Sequence, residues 1–412
     1  MTLVIRNARL RRRTDPVAIV VEDDGTIATV GDGAPPRSER DFDAEGRLVL
    51  PAFVDAHIHL DKALLGATMR PNVSQTLQEA VEITNEFARN YRAEEICARA
   101  VHVMREAVRY GTLTQRVFVD TYTVGGLVPL EGLFLAREVM KDLLDIQIIA
   151  LPQESLLSDP APVALLEQAL RQGADIVGGN PSYESSAADS RKHIELCFEL
   201  AERFNRPIHM IVDPTEDPKS RCLEYLAAET MRRPGFAGRV AASWDALVTY
   251  DDAYAARVIE MLKQADVAIV CNSHVNLLFN GRSDRHPIRR GGTRWQELLA
   301  AGVNVAAGQD DVNDPYYPFG KADALEVAFM LCHMAHFASP AEMETAIDMI
   351  TVNPARALGL TGYGIEPGSR ADLVVVDAPN VHEALRTRAD RRAVFRAGQL
   401  VAELGGGTKL LA

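Results

Sequence analysis

Eight short apolar runs, at residues 53–59, 114–120, 145–152, 174–179, 207–213, 239–244, 267–272 and 303–310, alternate with longer amphipathic stretches such as 162–172 and 193–204. Strand–helix alternation of this kind builds right-handed βαβ units around a parallel sheet. Eight such units close into a (β/α)8, TIM-like barrel, so the expected fold class is α/β. The chain ends read differently. Residues 3–5, 18–21 and 26–30, and again 371–377 and 393–401, are β-rich, while 33–38 reads as a loop. The pattern predicts a barrel over 51–360 and one small β-sandwich assembled from residues 1–50 and 361–412. Helices are expected over 321–360, where Asn353-Pro354 suits a helix start with proline in first position.

In a (β/α)8 barrel the chemistry lies at the C-terminal ends of the strands. The first run ends Pro51-Ala52-Phe53-Val54-Asp55-Ala56-His57-Ile58-His59-Leu60-Asp61-Lys62, and the eighth ends Gly308-Gln309-Asp310-Asp311. On a strand, residues i and i+2 share a face about 6–7 Å apart. Both imidazoles can then converge on one zinc or iron ion, which neutral histidine binds readily. The remaining composition removes other function classes. With 44 Lys and Arg against 57 Asp and Glu, the net charge of −13 repels a phosphate backbone, so no nucleic-acid partner is expected. No apolar run approaches the ~20 residues that span a bilayer, so no membrane partner is expected. The N-terminus lacks a signal-peptide pattern, and the cytoplasm is the default location. The five cysteines contain no C-x-x-C pair, which argues against a disulfide framework or a cysteine-bound zinc.

Several stretches together resemble the amidohydrolase superfamily, in its cytosine deaminase-like branch that includes triazine amidohydrolases. They are Pro51 to Lys62, Leu151-Pro152-Gln153-Glu154, Val275-Asn276 with Gly281-Arg282, Gly308 to Asp311, Asp314-Pro315-Tyr316-Tyr317-Pro318, and Asn353 to Leu360. The resemblance implies one divalent metal, zinc or iron, held by His57, His59 and Asp310. It also implies Asp310 as the base and Gln153 on the amide edge of a planar heterocyclic substrate, lined further by Asp311 and Tyr316. A homo-oligomer is compatible with it.

The sequence departs from that family pattern at strand five and strand six. Ile211 stands at the position of a metal-ligand histidine, Pro214 at that of the proton-shuttling glutamate, and Trp244 at that of a water-orienting histidine. Phe118 and Gln309 replace further histidines. Isoleucine cannot ligate a metal and proline cannot carry a proton. His209, which shares parity with Ile211 two residues deeper, is either a substitute ligand or a hydrogen-bonded interior histidine. Asp213 and Glu216, at the strand-five mouth, are candidates for the lost acid or are plain loop residues. Trp244 and Phe118 are expected to stack on a flat ligand, and His274 to line the pocket. Two readings follow. The first is a hydrolase of a C–N bond in a small cyclic amide or amidine, with weakened metal binding. The second is a metal-poor relative with another reaction or only ligand binding.

Overall fold

The computed structural model describes residues 2–32, 38 and 40–404; the loop expected over 33–38 lies outside these except for Ser38. The chain opens with β1 (Leu3–Ala8), β2 (Val17–Val21), β3 (Ile27–Gly31), β4 (Arg40–Asp43) and β5 (Leu48–Pro51). Eight strands follow: β6 (Phe53–His59), β7 (Thr112–Asp120), β8 (Asp145–Leu151), β9 (Ile176–Val177), β10 (Ile208–Ile211), β11 (Val240–Ser243), β12 (Val267–Cys271) and β13 (Val305–Ala307). They pair in that order, all parallel, and each falls within or across one of the eight apolar runs. The chain ends with β14 (Leu373–Val376), β15 (Arg391–Arg396) and β16 (Gln399–Glu403).

The first four strands form one sheet in the order β3-β2-β1-β4. The fifth joins the far end of the chain in the order β16-β15-β14-β5. Ile5, Ile19 and Val21 from the first sheet share an apolar cluster with Val49, Val375 and Phe395 from the second.

Local signals explain the helices between the strands. Pro160–Gln172 starts where the Asp159 carboxylate accepts from the Ala161 amide, with proline in the first turn, and it stops at Gly173, whose φ is 112°. Ala187–Phe204 starts at Ser186, which accepts from the Asp189 amide. The helices expected over 321–360 are Ala324–Met334, Pro340–Asp348 and Val352–Ala357. Pro354 is the third residue of the last one, not the first, because Thr351 precedes its first turn.

Two apolar clusters fill the barrel. Val54, Ala56, Ala241, Val270 and Ala306 pack beneath, closed by Ala355 and Leu358 of the last of those helices. Phe118, Ile149, Leu151, Ile176 and Ile211 form a second cluster with Trp244 against it. The polar side chains of the first and eighth strands meet beside it. There the last strand returns to the first: the Asp310 amide donates to the His57 carbonyl (2.7 Å), and the His59 amide donates to the Asp310 carbonyl (2.9 Å). The buried Asp55 carboxylate fastens the same seam, accepting from the amides of His57 (3.2 Å) and Gln309 (3.1 Å).

This seam requires Gly308. A Cβ there would lie 2.7 Å from the His57 carbonyl oxygen and 2.8 Å from both its Cβ and its nitrogen. Gly308→Ala should therefore lower unfolding stability by about 1–3 kcal/mol, as overpacking does elsewhere. An unchanged midpoint in urea unfolding would show that the strands tolerate a wider seam.

Candidate active site

The seam places three expected ligands together. His57 Nε2 and His59 Nε2 lie 3.1 Å apart, and they lie 3.2 and 3.4 Å from Asp310 Oδ1. All three side chains are buried, and their ligand atoms lie within 4.8 Å of one another. Two imidazoles and one carboxylate with open positions form a donor set suited to a divalent ion. His59 is held well below the ordinary histidine pKa by burial first, then by the charges of Lys62 and His57. It is therefore neutral, the form a metal binds.

Asp310 presents two different oxygens. Oδ1 faces the histidines, whereas Oδ2 accepts from Trp244 Nε1 (3.1 Å) and Asn272 Nδ2 (2.9 Å). Trp244 and Asp310 both have left-handed backbones, with φ of 56° and 66°. Such geometry in non-glycine residues costs about 1–3 kcal/mol each and clusters at functional sites. The strain aims the indole N–H and the carboxylate at each other.

A buried charge network adjoins His59. Lys62 Nζ lies 3.1 Å from Asp61 Oδ1, 3.1 Å from Asp120 Oδ1 and 3.2 Å from His59 Nδ1. Burial opposes its charge, but Asp120 and Asp61 outweigh it and raise the pKa. An ammonium donating to Nδ1 leaves the proton of His59 on Nε2, so an ion at Nε2 must displace that arrangement. This feature works against the metal.

A cavity opens over the cluster. His59, Asp310, Asp311, Gln153, Tyr316 and Trp244 line it, as do Lys62, Asn180, Tyr183 and Leu77. Gln153 Oε1 is buried without a hydrogen-bond partner, so a substrate N–H could occupy it. Burial, with the neighbouring Asp314 and Asp310 charges, lifts the Asp311 carboxyl well above the usual range. Ile211 and Pro214 form an apolar wall on the strand-five side.

Other expected site residues lie elsewhere. The Asp213 carboxylate caps the helix Cys222–Arg232, accepting from the Cys222 and Leu223 amides at 3.0 Å each, with Ser220 and Tyr250 as further donors. Glu216 accepts from the Gly281 amide (2.9 Å) and pairs with Arg289 (3.4 Å). Neither is among the residues that line the cavity, and each carboxylate is hydrogen-bonded to backbone amides away from it, a placement unlike that expected of the acid. Phe118 is fully buried beneath the site and stacks on His57 with ring centroids 4.0 Å apart, which leaves no face for a ligand. His274 is not among the residues that line the cavity, and its Nε2 lies 3.7 Å from Glu326. His209 is not a ligand in this geometry; its Nε2 bonds Ser243 Oγ at 2.8 Å.

Sequence reasoning gave no role to Lys62, Asp61, Asp120, Asn180, Tyr183, Ser243 or Asn272. A usable signal existed for some of them. Lys62 stands three residues after the histidine pair, and Asp120 and Asn272 each end one of the strand runs at the mouth.

Comparison with known proteins agrees with this geometry. Residues 98–402 match the amidohydrolase family. N-isopropylammelide isopropyl amidohydrolase of Pseudomonas sp. (strain ADP) is 29% identical, covering 97% of this chain and 96% of that protein. Pterin deaminase of Rhizobium rhizogenes (strain K84 / ATCC BAA-868) is 30% identical, covering 93% and 87%. The crystal structure of 5-methylcytosine deaminase from Klebsiella pneumoniae, liganded with 5-fluorocytosine, superposes with a TM-score of 0.93 at 33% identity over 99% of each chain. With the barrel, the paired histidines and the eighth-strand aspartate in place, the chain belongs to the amidohydrolase family, and the three relatives just named are hydrolases of C–N bonds.

Proposed function

We propose that this protein hydrolyses a C–N bond of a small planar nitrogen heterocycle, as a deaminase or amide hydrolase. One observation carries the reading: His57, His59 and Asp310 converge beside a cavity that also presents Gln153, Asp311 and Tyr316. The names of the relatives, a pterin deaminase, a 5-methylcytosine deaminase and an isopropylammelide hydrolase, support that substrate class. The chain is read as a barrel over 51–360, with 1–50 and 361–412 as parts of one sandwich. The apolar cluster shared by the two small sheets supports this.

His57, His59 and Asp310 would hold one divalent ion, with zinc or iron suited to the donors. When bound, it would supply Lewis-acid polarisation and a more acidic water. The residues of the chain do the rest. Gln153 and Asp311 hold the polar edge of the ring, and the indole of Trp244 offers a stacking face. The lone pairs of Asp310 Oδ2 are filled by Trp244 and Asn272, so Oδ1 takes the proton as water attacks the ring carbon. With proline at position 214, the same Oδ1 passes that proton to the departing nitrogen as the C–N bond breaks.

A second reading, a metal-poor relative that only binds its ligand, draws on the apolar wall at Ile211 and Pro214 and on the Lys62 contact to His59. Metal analysis of protein purified without chelators separates the two. The first reading expects near-stoichiometric divalent ion, abolished by His57→Ala. Metal content near zero after reconstitution, with ring compounds still bound in calorimetry, would transfer the assignment to the second.

Ammonia or amine release from cytosines, pterins and aminotriazines identifies the substrate. On the compound turned over, Asp310→Asn should lower kcat by about 10²–10⁴-fold, the usual contribution of a general base. Asp213→Ala should leave kcat unchanged while lowering stability by about 0.5–2 kcal/mol, as loss of a helix cap does. A large fall in kcat for that variant would restore Asp213 as an acid.

A further inference from the structure

Behind the ligand cluster lies a polar chain that the hydrolytic reading does not use. Ser243, at the end of β11, places its Oγ 2.7 Å from His57 Nδ1 and 2.8 Å from His209 Nε2. All three side chains are buried, His57 and His209 completely. His57 Nδ1 has no other hydrogen-bond partner among the described residues, and His209 Nδ1 has none at all there. Phe118 stacks on His57 with the planes 27° apart and meets His209 edge-on at 4.9 Å.

The protons of this chain run one way, from His57 through Ser243 to His209, and end on His209 Nδ1, which has no partner among the described residues. An ion on His57 Nε2 uses the lone pair there, so the one ring proton of the neutral imidazole sits on Nδ1. At 2.7 Å that N–H donates to Ser243 Oγ. The hydroxyl then has one hydrogen left, and His209 Nε2 is the acceptor within reach. His209 thereby carries its own proton on Nδ1. Without His209 the serine hydrogen would be buried and unpaired. Without Ser243 the His57 N–H would be.

We infer that Ser243 and His209 are positioning residues for the metal: together they fix the His57 tautomer and ring so that Nε2 faces the ion. This rests on reading His57, His59 and Asp310 as a metal set. It gives the strand-five histidine a role behind the ligands rather than among them. Phe118 completes the arrangement by fixing the ring plane while the hydrogen bond fixes its edge. Partners of this kind are worth about 10–100-fold in metal affinity at other sites.

The test is zinc affinity, measured by competition with a chromophoric chelator on the full chain. Ser243→Ala should weaken zinc by about 10–100-fold, and Ser243→Thr, which keeps the hydroxyl, should stay near the parent. His209→Leu should weaken it similarly, and His209→Gln, whose amide oxygen accepts the serine hydrogen, should recover. Ring ¹⁵N spectra of histidine-labelled, zinc-loaded protein should place the His57 proton on Nδ1, and Ser243→Ala should shift that signal. Should Ser243→Ala fail to fold, the Leu and Gln variants at position 209 decide. Parent-like affinity in both Ser243→Ala and His209→Leu would overturn the relay and leave the metal reading standing. Loss in His209→Gln as complete as in His57→Ala would make His209 a ligand and also overturn it. A parent protein that takes up no zinc would overturn the metal reading, and the relay with it.

Discussion

Two backbone hydrogen bonds hold the functional end of this protein together. The Asp310 amide reaches the His57 carbonyl, and the Asp310 carbonyl receives the His59 amide. They join the last strand of the barrel to the first at the level of the three candidate ligands. A parallel ladder fixes register residue by residue, so once those bonds form, the side chains of 57, 59 and 310 must share one mouth. Gly308 lets the strands approach closely enough, and Asp55 ties both backbones from below.

Around that seam, the site exchanges catalytic groups for packing on one side and keeps polar order on the other. Ile211 joins Phe118, Leu151 and Trp244 in an apolar cluster where a further imidazole would have met the ion. The indole does more than fill space, because its N–H holds one oxygen of Asp310 and so turns the other toward the histidines. Hydrogen bonds to a charged group contribute about 1.5–3 kcal/mol. That is comparable with the strain of one of the two left-handed residues that make this bond, about 1–3 kcal/mol. Lys62 adds a fully buried cation held between two carboxylates, Asp61 and Asp120, beside His59.

Much of this was legible from spacing alone. His57 and His59 were readable because strand periodicity forces i and i+2 onto one face, and Asp310 because it ends the eighth run. Gln153 and Tyr316, placed by resemblance, do line the cavity. Asp213 and Glu216 stayed open between two readings, because a carboxylate at a strand mouth looks the same in sequence whether it meets a substrate or a helix N-terminus. Phe118 was misread for a related reason. The resemblance put it at the mouth as a stacking ring, but a position in a strand says nothing of depth, and the ring lies under His57 rather than over it. Lys62 stood within the quoted motif and still gave no hint that a lysine so close to two histidines would be sealed from water.

The sequence by itself determined the order of strands and helices, the barrel they imply and the end at which chemistry collects. Those follow from hydrophobic period and from the handedness of βαβ units, which are local properties of the chain. Tertiary structure alone decided which polar groups near the mouth face the cavity, which cap helices, and which hydrogen-bond behind the ligands. Those choices turn on distances of about 3 Å between residues tens to hundreds of positions apart. The pairing of His57 with Ser243 and of Ser243 with His209 is one such choice, set by the registers of three strands at once.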